Sequence, residues 1–105
     1  TTSPALAAQK AGVFHTGYNT DMTHAAPDAS LISCRINWEP YFYTFIKNFI
    51  DGKENPSDYT GTLAEGAVTV TELNTKIAAP GTAEKIAQVE ADIKSGKIKS
   101  CPIIL

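Results

Sequence analysis

The stretch G-V-F-H-T-G-Y-N-T-D-M, residues 12–22, decides how the chain is read. Before it, Ser3 suits a helix N-cap and Pro4 the first helical position. Ala5 to Ala11 are mostly good helix formers, and Gly12 stands where a left-handed C′ residue ends a helix. Val13 to Tyr18 then reads as a short strand. Asn19 and Asp21 follow it at once, with Gly17 two residues before the Asn. Two readings of these polar residues are open. They are Asx-type turn chemistry, with both side chains bonded to nearby backbone. Or they form the lip of a binding site, because ligands of open α/β sheets gather beyond the carboxyl ends of the strands.

Beyond a loop at 19–29 containing Pro27 and Asp28, S-L-I-S-C-R-I-N (30–37) predicts a second strand. Its period of two sets Ile32, Cys34, Ile36 and Trp38 on one face, with the first three as a clean apolar face. Leu31, Ser33, Arg35 and Asn37 take the other. W-E-P-Y-F-Y-T-F-I-K-N-F-I-D-G then carries Tyr41, Phe42, Phe45, Ile46, Phe49 and Ile50 at helical spacing, and Gly52 stops it. These aromatics read as core. The turn-rich K-E-N-P-S-D leads to extended pieces at 59–63 and 67–73, joined by a hairpin-like turn at Glu65-Gly66. Pro80-Gly81 breaks the chain. A final helix is expected from about Ala83 to Ser95, with Ile86, Val89 and Ile93 on one face, and the tail at 97–105 suggests a short strand. The order helix, strand, strand, helix, hairpin, helix is an α/β pattern.

With 105 residues the chain reads as one unit, and 43% hydrophobic against 19% charged residues is globular rather than disordered composition. A net charge of −2 without a dense basic cluster argues against a nucleic-acid partner. No apolar run reaches the ~20 residues of a membrane span. Cys34 and Cys101 are too far apart for a metal or redox motif; they read as small buried hydrophobes, with a disulfide or reactive thiol as the alternative.

Few residues point to chemistry. His15 reads as a satisfied strand histidine, and His24 has no nucleophile frame around it. His15, Asp21 and His24 match no metal spacing, and there is no phosphate loop. The chain therefore reads as a binding protein without enzymatic activity and without a cofactor. Trp38 offers a stacking surface or a hydrophobic anchor for the next helix. Arg35 offers an anion site or a solvated charge.

Taken in order, the motifs resemble a known family. TTSPALAAQKAGVFHTGYNTDM (1–22), LISCRINWEPYF (31–42), FIDGKENPSDYTGTLAEGAVTVTELN (49–74) and AEKIAQVEADIKSGKIKSCP (83–102) are similar, in register, to elements of the basic membrane protein family. These are substrate-binding lipoproteins of ABC importers and include purine-nucleoside receptors. The resemblance implies the C-terminal third or so of a two-lobe type I periplasmic-binding-protein fold, with αβα layers and a mostly parallel sheet. Residues 1–35 and 77–105 would belong to the second lobe and 36–76 to the first, with a hinge near Ile36 to Trp38. The implied partners are a purine-like small molecule, the remaining N-terminal part of the receptor, and an ABC permease. The implied location is extracytoplasmic, with a lipid anchor on a segment not in this sequence.

The implied ligand residues are Asn19, Asp21, Trp38 and, as apolar lining, Ile36, with Thr1 and Thr2 at the cleft mouth. The nucleoside receptors carry aspartate at the position of Asn19 and lysine at that of Ile36. The version here looks more like members that bind a purine base such as adenine. The same fold also serves as the sensing part of regulators, which is the alternative function. A small α/β enzyme is a third reading, with no motif behind it.

Overall fold

The computed structural model describes residues 1–99. It is a mixed α/β arrangement: α1 (Ser3–Ala11), β1 (His15–Tyr18), β2 (Ser30–Ile36), α2 (Glu39–Ile50), β3 (Val68–Val70) and α3 (Thr82–Lys94). The three strands form one sheet in the order β1-β2-β3, with β1 parallel and β3 antiparallel to β2.

α1 begins at Ser3, its expected cap, one residue before the expected first helical position. Thr2 precedes the helix, and the Ser3 hydroxyl lies 3.1 Å from that of Thr1. Its end follows the expectation. Gly12 takes φ 69°, its N–H reaches Gln9 O, and the Val13 N–H reaches Ala8 O at 3.0 Å. These are the paired bonds of a Schellman cap. β1 starts at His15 rather than Val13, and Val13 and Phe14 are exposed.

The crossover at 19–29 is more ordered than a loop. Ala26 N–H bonds Met22 O at 3.0 Å and Ser30 N–H bonds Ala26 O at 2.9 Å, so the segment winds through two single turns. Met22, Ala26 and Ala29 are buried there and meet Ala5, with Ala8 packed against them. This small-residue core lets α1 lie close to the crossover.

The clean apolar face expected on β2 is not what the strand buries. Ser30 and Ser33 are its buried residues, and Cys34 is exposed. The register shifts between His15 and Thr16, where β2 spends an extra residue, and that irregularity breaks the period of two. Ser33 then faces Gly17, where a Cβ would collide with its Oγ and stand 3.1 Å from Met22 Cγ. Cys101 lies outside the described residues, so the buried reading is corrected for Cys34 alone.

The expected hairpin also changes partner. Residues 59–63 form no strand; β3 pairs with β2 instead, with Arg35 opposite Thr69 and Ile36 opposite Val68. A tight turn replaces the first arm. Ala67 N–H bonds Thr62 O at 3.0 Å, and Glu65 Oε2 accepts from the Thr62 N–H and hydroxyl at 2.9 and 2.7 Å. Asn74 then ties the return segment down. Its Nδ2 donates to Pro27 O and Ser30 O, both at 2.9 Å, and its N–H to Leu31 O at 2.8 Å.

α2 departs most from expectation. Its aromatics were read as core, yet Phe49 is 81% and Ile50 75% exposed, and Phe42, Tyr43 and Ile46 are exposed too. Only Tyr41 and Phe45 are half-buried, against Tyr59 at ring-centroid distances of 5.2 and 6.2 Å. The helix packs on its own flanking loop and not on the sheet. The radius of gyration is 17.0 Å, against about 13 Å for a compact chain of this length.

α3 places Ile86, Val89 and Ile93 around an apolar cavity of about 230 Å³ shared with Leu63 and Val70. Residues 97–99 are not a strand, and the rest of the suggested tail strand lies outside the described residues. No helix among the described residues is long and apolar enough to cross a membrane.

Candidate functional site

At the carboxyl ends of β1 and β2 the chain opens a cleft of about 710 Å³. Asn19, Asp21, Ile36 and Trp38 all line it. Asn19 and Asp21 come from the end of β1, Ile36 and Trp38 from the exit of β2, and pairing of the two parallel strands brings them together. Thr1 and Thr2 do not line it.

The two polar residues of the β1 end do different work. Asn19 has φ 69°, the only left-handed non-glycine residue described, a conformation in which Asn is enriched. Its N–H bonds Cys34 O at 2.6 Å, which extends the β1–β2 ladder by one rung before the chain turns away. No hydrogen bond occupies its side-chain amide among the described residues, so both amide atoms are free to face the cleft. Asp21 follows the turn reading. Its Oδ1 accepts the Thr23 N–H at 2.8 Å. The Thr23 hydroxyl first and its N–H second hold the carboxyl below the ordinary aspartate range, with His24 adding a smaller push and burial opposing. The carboxylate stays ionised near neutrality.

Trp38 is the hydrophobic anchor of the next helix, one of the two readings for it. Its ring meets Tyr41 edge-on at 5.8 Å and Phe42 at 6.4 Å, which anchors the first turn of α2. It is still 56% exposed, so indole surface remains toward the cleft. Asn37 braces this exit: its N–H bonds Ala67 O at 2.8 Å, its Nδ2 donates to Gly66 O at 3.0 Å, and its Oδ1 accepts the Glu39 N–H at 3.2 Å.

Arg35, offered by the sequence as an anion site or a solvated charge, also lines the cleft from β2. Thr69, Thr71 and Glu72 were not foreseen; the antiparallel pairing of β3 with β2 brings them in. Thr71 is partly committed, since its Oγ1 accepts the Ser33 N–H at 2.9 Å. A threonine at every second position (69, 71) was the available signal, and it was legible only once β3 had a partner.

His15 sits outside this cleft, with Nδ1 3.3 Å from Ser30 Oγ, as a satisfied strand histidine would. Ser33 Oγ is buried beneath Gly17 without a partner. Chemically, the cleft offers an aromatic face, an amide, hydroxyls, carboxylates and a guanidinium. That is a set suited to holding a planar polar molecule by stacking and convergent hydrogen bonds. Among known proteins, no family model matches the chain, and no curated protein matches it.

Proposed function

We propose that this chain contributes one wall of the ligand cleft of an extracytoplasmic solute receptor of the basic membrane protein type. The receptor captures a purine base or nucleoside between the lobes of a type I periplasmic-binding-protein fold and delivers it to an ABC permease. No bond is made or broken in this role. The observation that carries the reading is the convergence of Asn19, Asp21, Ile36 and Trp38, drawn from two segments, on one cleft beyond the strand ends. The position agrees with where open α/β sheets bind ligands.

The bare faces support the rest of the reading. α2 exposes five large apolar side chains, more than a self-contained surface needs. The sheet has β1 and β3 at its edges with no further strand beside them among the described residues. In the proposed receptor the remaining N-terminal polypeptide covers both, and its other lobe closes the cleft. Closure would expel water and strengthen each polar contact.

Released-ligand mass spectrometry tests this. The protein is purified with any polypeptide that accompanies it, denatured, and its small molecules identified. A purine or nucleoside near one equivalent is expected. A different class of metabolite at that level would refute the purine assignment.

A further inference from the structure

We propose that Arg35 makes this cleft selective for 6-oxopurines, such as hypoxanthine and guanine, over adenine. The inference rests on the purine reading above and departs from the adenine expectation drawn from the sequence. Arg35 is the chain's one arginine. It stands opposite Thr69 in the β2–β3 register and lines the cleft. Every ion pair among the described residues is made by a lysine. The guanidinium makes no hydrogen bond there either. Asp21 and Glu72 line the same cleft, yet neither comes within ion-pairing reach of it.

A guanidinium left free over a cleft is a donor fork without an acceptor. It has five N–H groups and cannot accept. On a purine, the edge that matches is O6 beside N7, two acceptors at the spacing of the fork. Adenine puts an amino group at position 6, so a donor would meet a donor there. The rest of the lining is compatible with an oxopurine. The carboxylates of Asp21 and Glu72, which line the cleft, can accept from ring N–H groups, which the oxo form carries at N1. Trp38 offers the stacking face. Asn19 can bond either purine, because its amide both donates and accepts, so the discrimination falls on Arg35.

Trp38 is the single tryptophan, so its fluorescence reports ligand entering this cleft. The full chain, with whatever co-purifies, is titrated with hypoxanthine and with adenine, and the titrations are repeated on Arg35→Met. Arg35 is exposed, and circular dichroism of the variant checks that it keeps its fold. Hypoxanthine should bind about tenfold to a hundredfold more tightly than adenine. Arg35→Met should remove that preference, chiefly by weakening hypoxanthine. Equal or tighter binding of adenine, or a preference that survives in Arg35→Met, would overturn the inference while leaving the purine reading in place. No response to either base overturns the inference, and the released ligand then decides the purine reading separately.

Discussion

Two parts of this molecule treat their apolar surface in opposite ways. Around β1 and β2, small side chains and fitted hydrogen bonds close the structure: Ala5, Met22, Ala26 and Ala29 are buried together, and Asn74 bridges the crossover to β2. From Trp38 to Tyr59, large aromatics dominate, and most remain outside. Tyr41, Phe45 and Tyr59 make a stack of their own, braced by Asn55 Nδ2 on Phe45 O at 3.2 Å. The difference is one of partners and not of hydrophobicity. Alanines bury fully because α1 can approach the crossover closely. Phe49 and Ile50 cannot, because nothing among the described residues lies opposite them. The first part behaves as a finished core, the second as half of one, and the cleft lies where they join.

The comparison breaks first if the two parts respond alike to truncation. Met22→Ala should destabilise the β1–β2 part by about 2–4 kcal/mol, since it empties a buried site next to Gly17. Phe49→Ala, although it removes a larger side chain, should change stability by no more than about 0.5 kcal/mol, because the ring leaves water on neither side of the transition. Urea denaturation followed by circular dichroism compares them. Equal losses would mean that α2 is packed after all.

A smaller effect separates hydrogen bonding from packing within the first part. Asn74→Ala removes two side-chain bonds to backbone carbonyls and should cost about 1–3 kcal/mol. Ser33→Ala should do the reverse. Its Oγ is buried and unpartnered, so its removal should be neutral or stabilising by up to about 1 kcal/mol. A loss on Ser33→Ala would point to a bond that the hydroxyl makes in solution.

How much of this was legible in the sequence follows the same division. Local signals held: Gly12 ends α1 and Gly52 follows α2 in the left-handed region, at φ 69° and 67°. The positions of Asn19 and Asp21 after β1 were readable because turn chemistry is local. Three things were not. The partner of β3 depends on a contact between residues more than thirty apart, so residues 59–63 looked equally eligible. The irregularity opposite His15 shifts the side-chain phase of β2, and nothing in S-L-I-S-C-R-I announces it. The aromatic stripe of α2 specifies a helix with an apolar face but says nothing about what lies against it. The cleft inherits both outcomes. Its β1 and β2 residues were foreseen, and its β3 wall, with Thr69 and Thr71, was not.

The gentlest probe of the comparison is protonation, because a carboxylate locks one turn within the first part and another at the exit from the second. Asp21 accepts from Thr23 in the first part. Glu65 accepts from Thr62 at the turn that brings the chain back from the aromatic segment to β3. Hydrogen bonds from those threonine hydroxyls, and then from the backbone N–H groups, hold both carboxyls below their ordinary values. A folded-state pKa lowered in this way adds stability that is fully present above the ordinary carboxylate value. It is lost as pH falls through the lowered one. Both turns should therefore stay locked at neutral pH and loosen only in acid, below the ordinary carboxylate range. Carbon-detected NMR titration of the two carboxyls should place both midpoints low. Thr62→Ala removes the hydroxyl but keeps the N–H, so it should move Glu65 part of the way back toward its ordinary value and leave Asp21 where it was, since the two turns share no residue. If Asp21 moved with Thr62→Ala, the two parts would be coupled through β3, and the division between a finished core and an open half would have to be withdrawn.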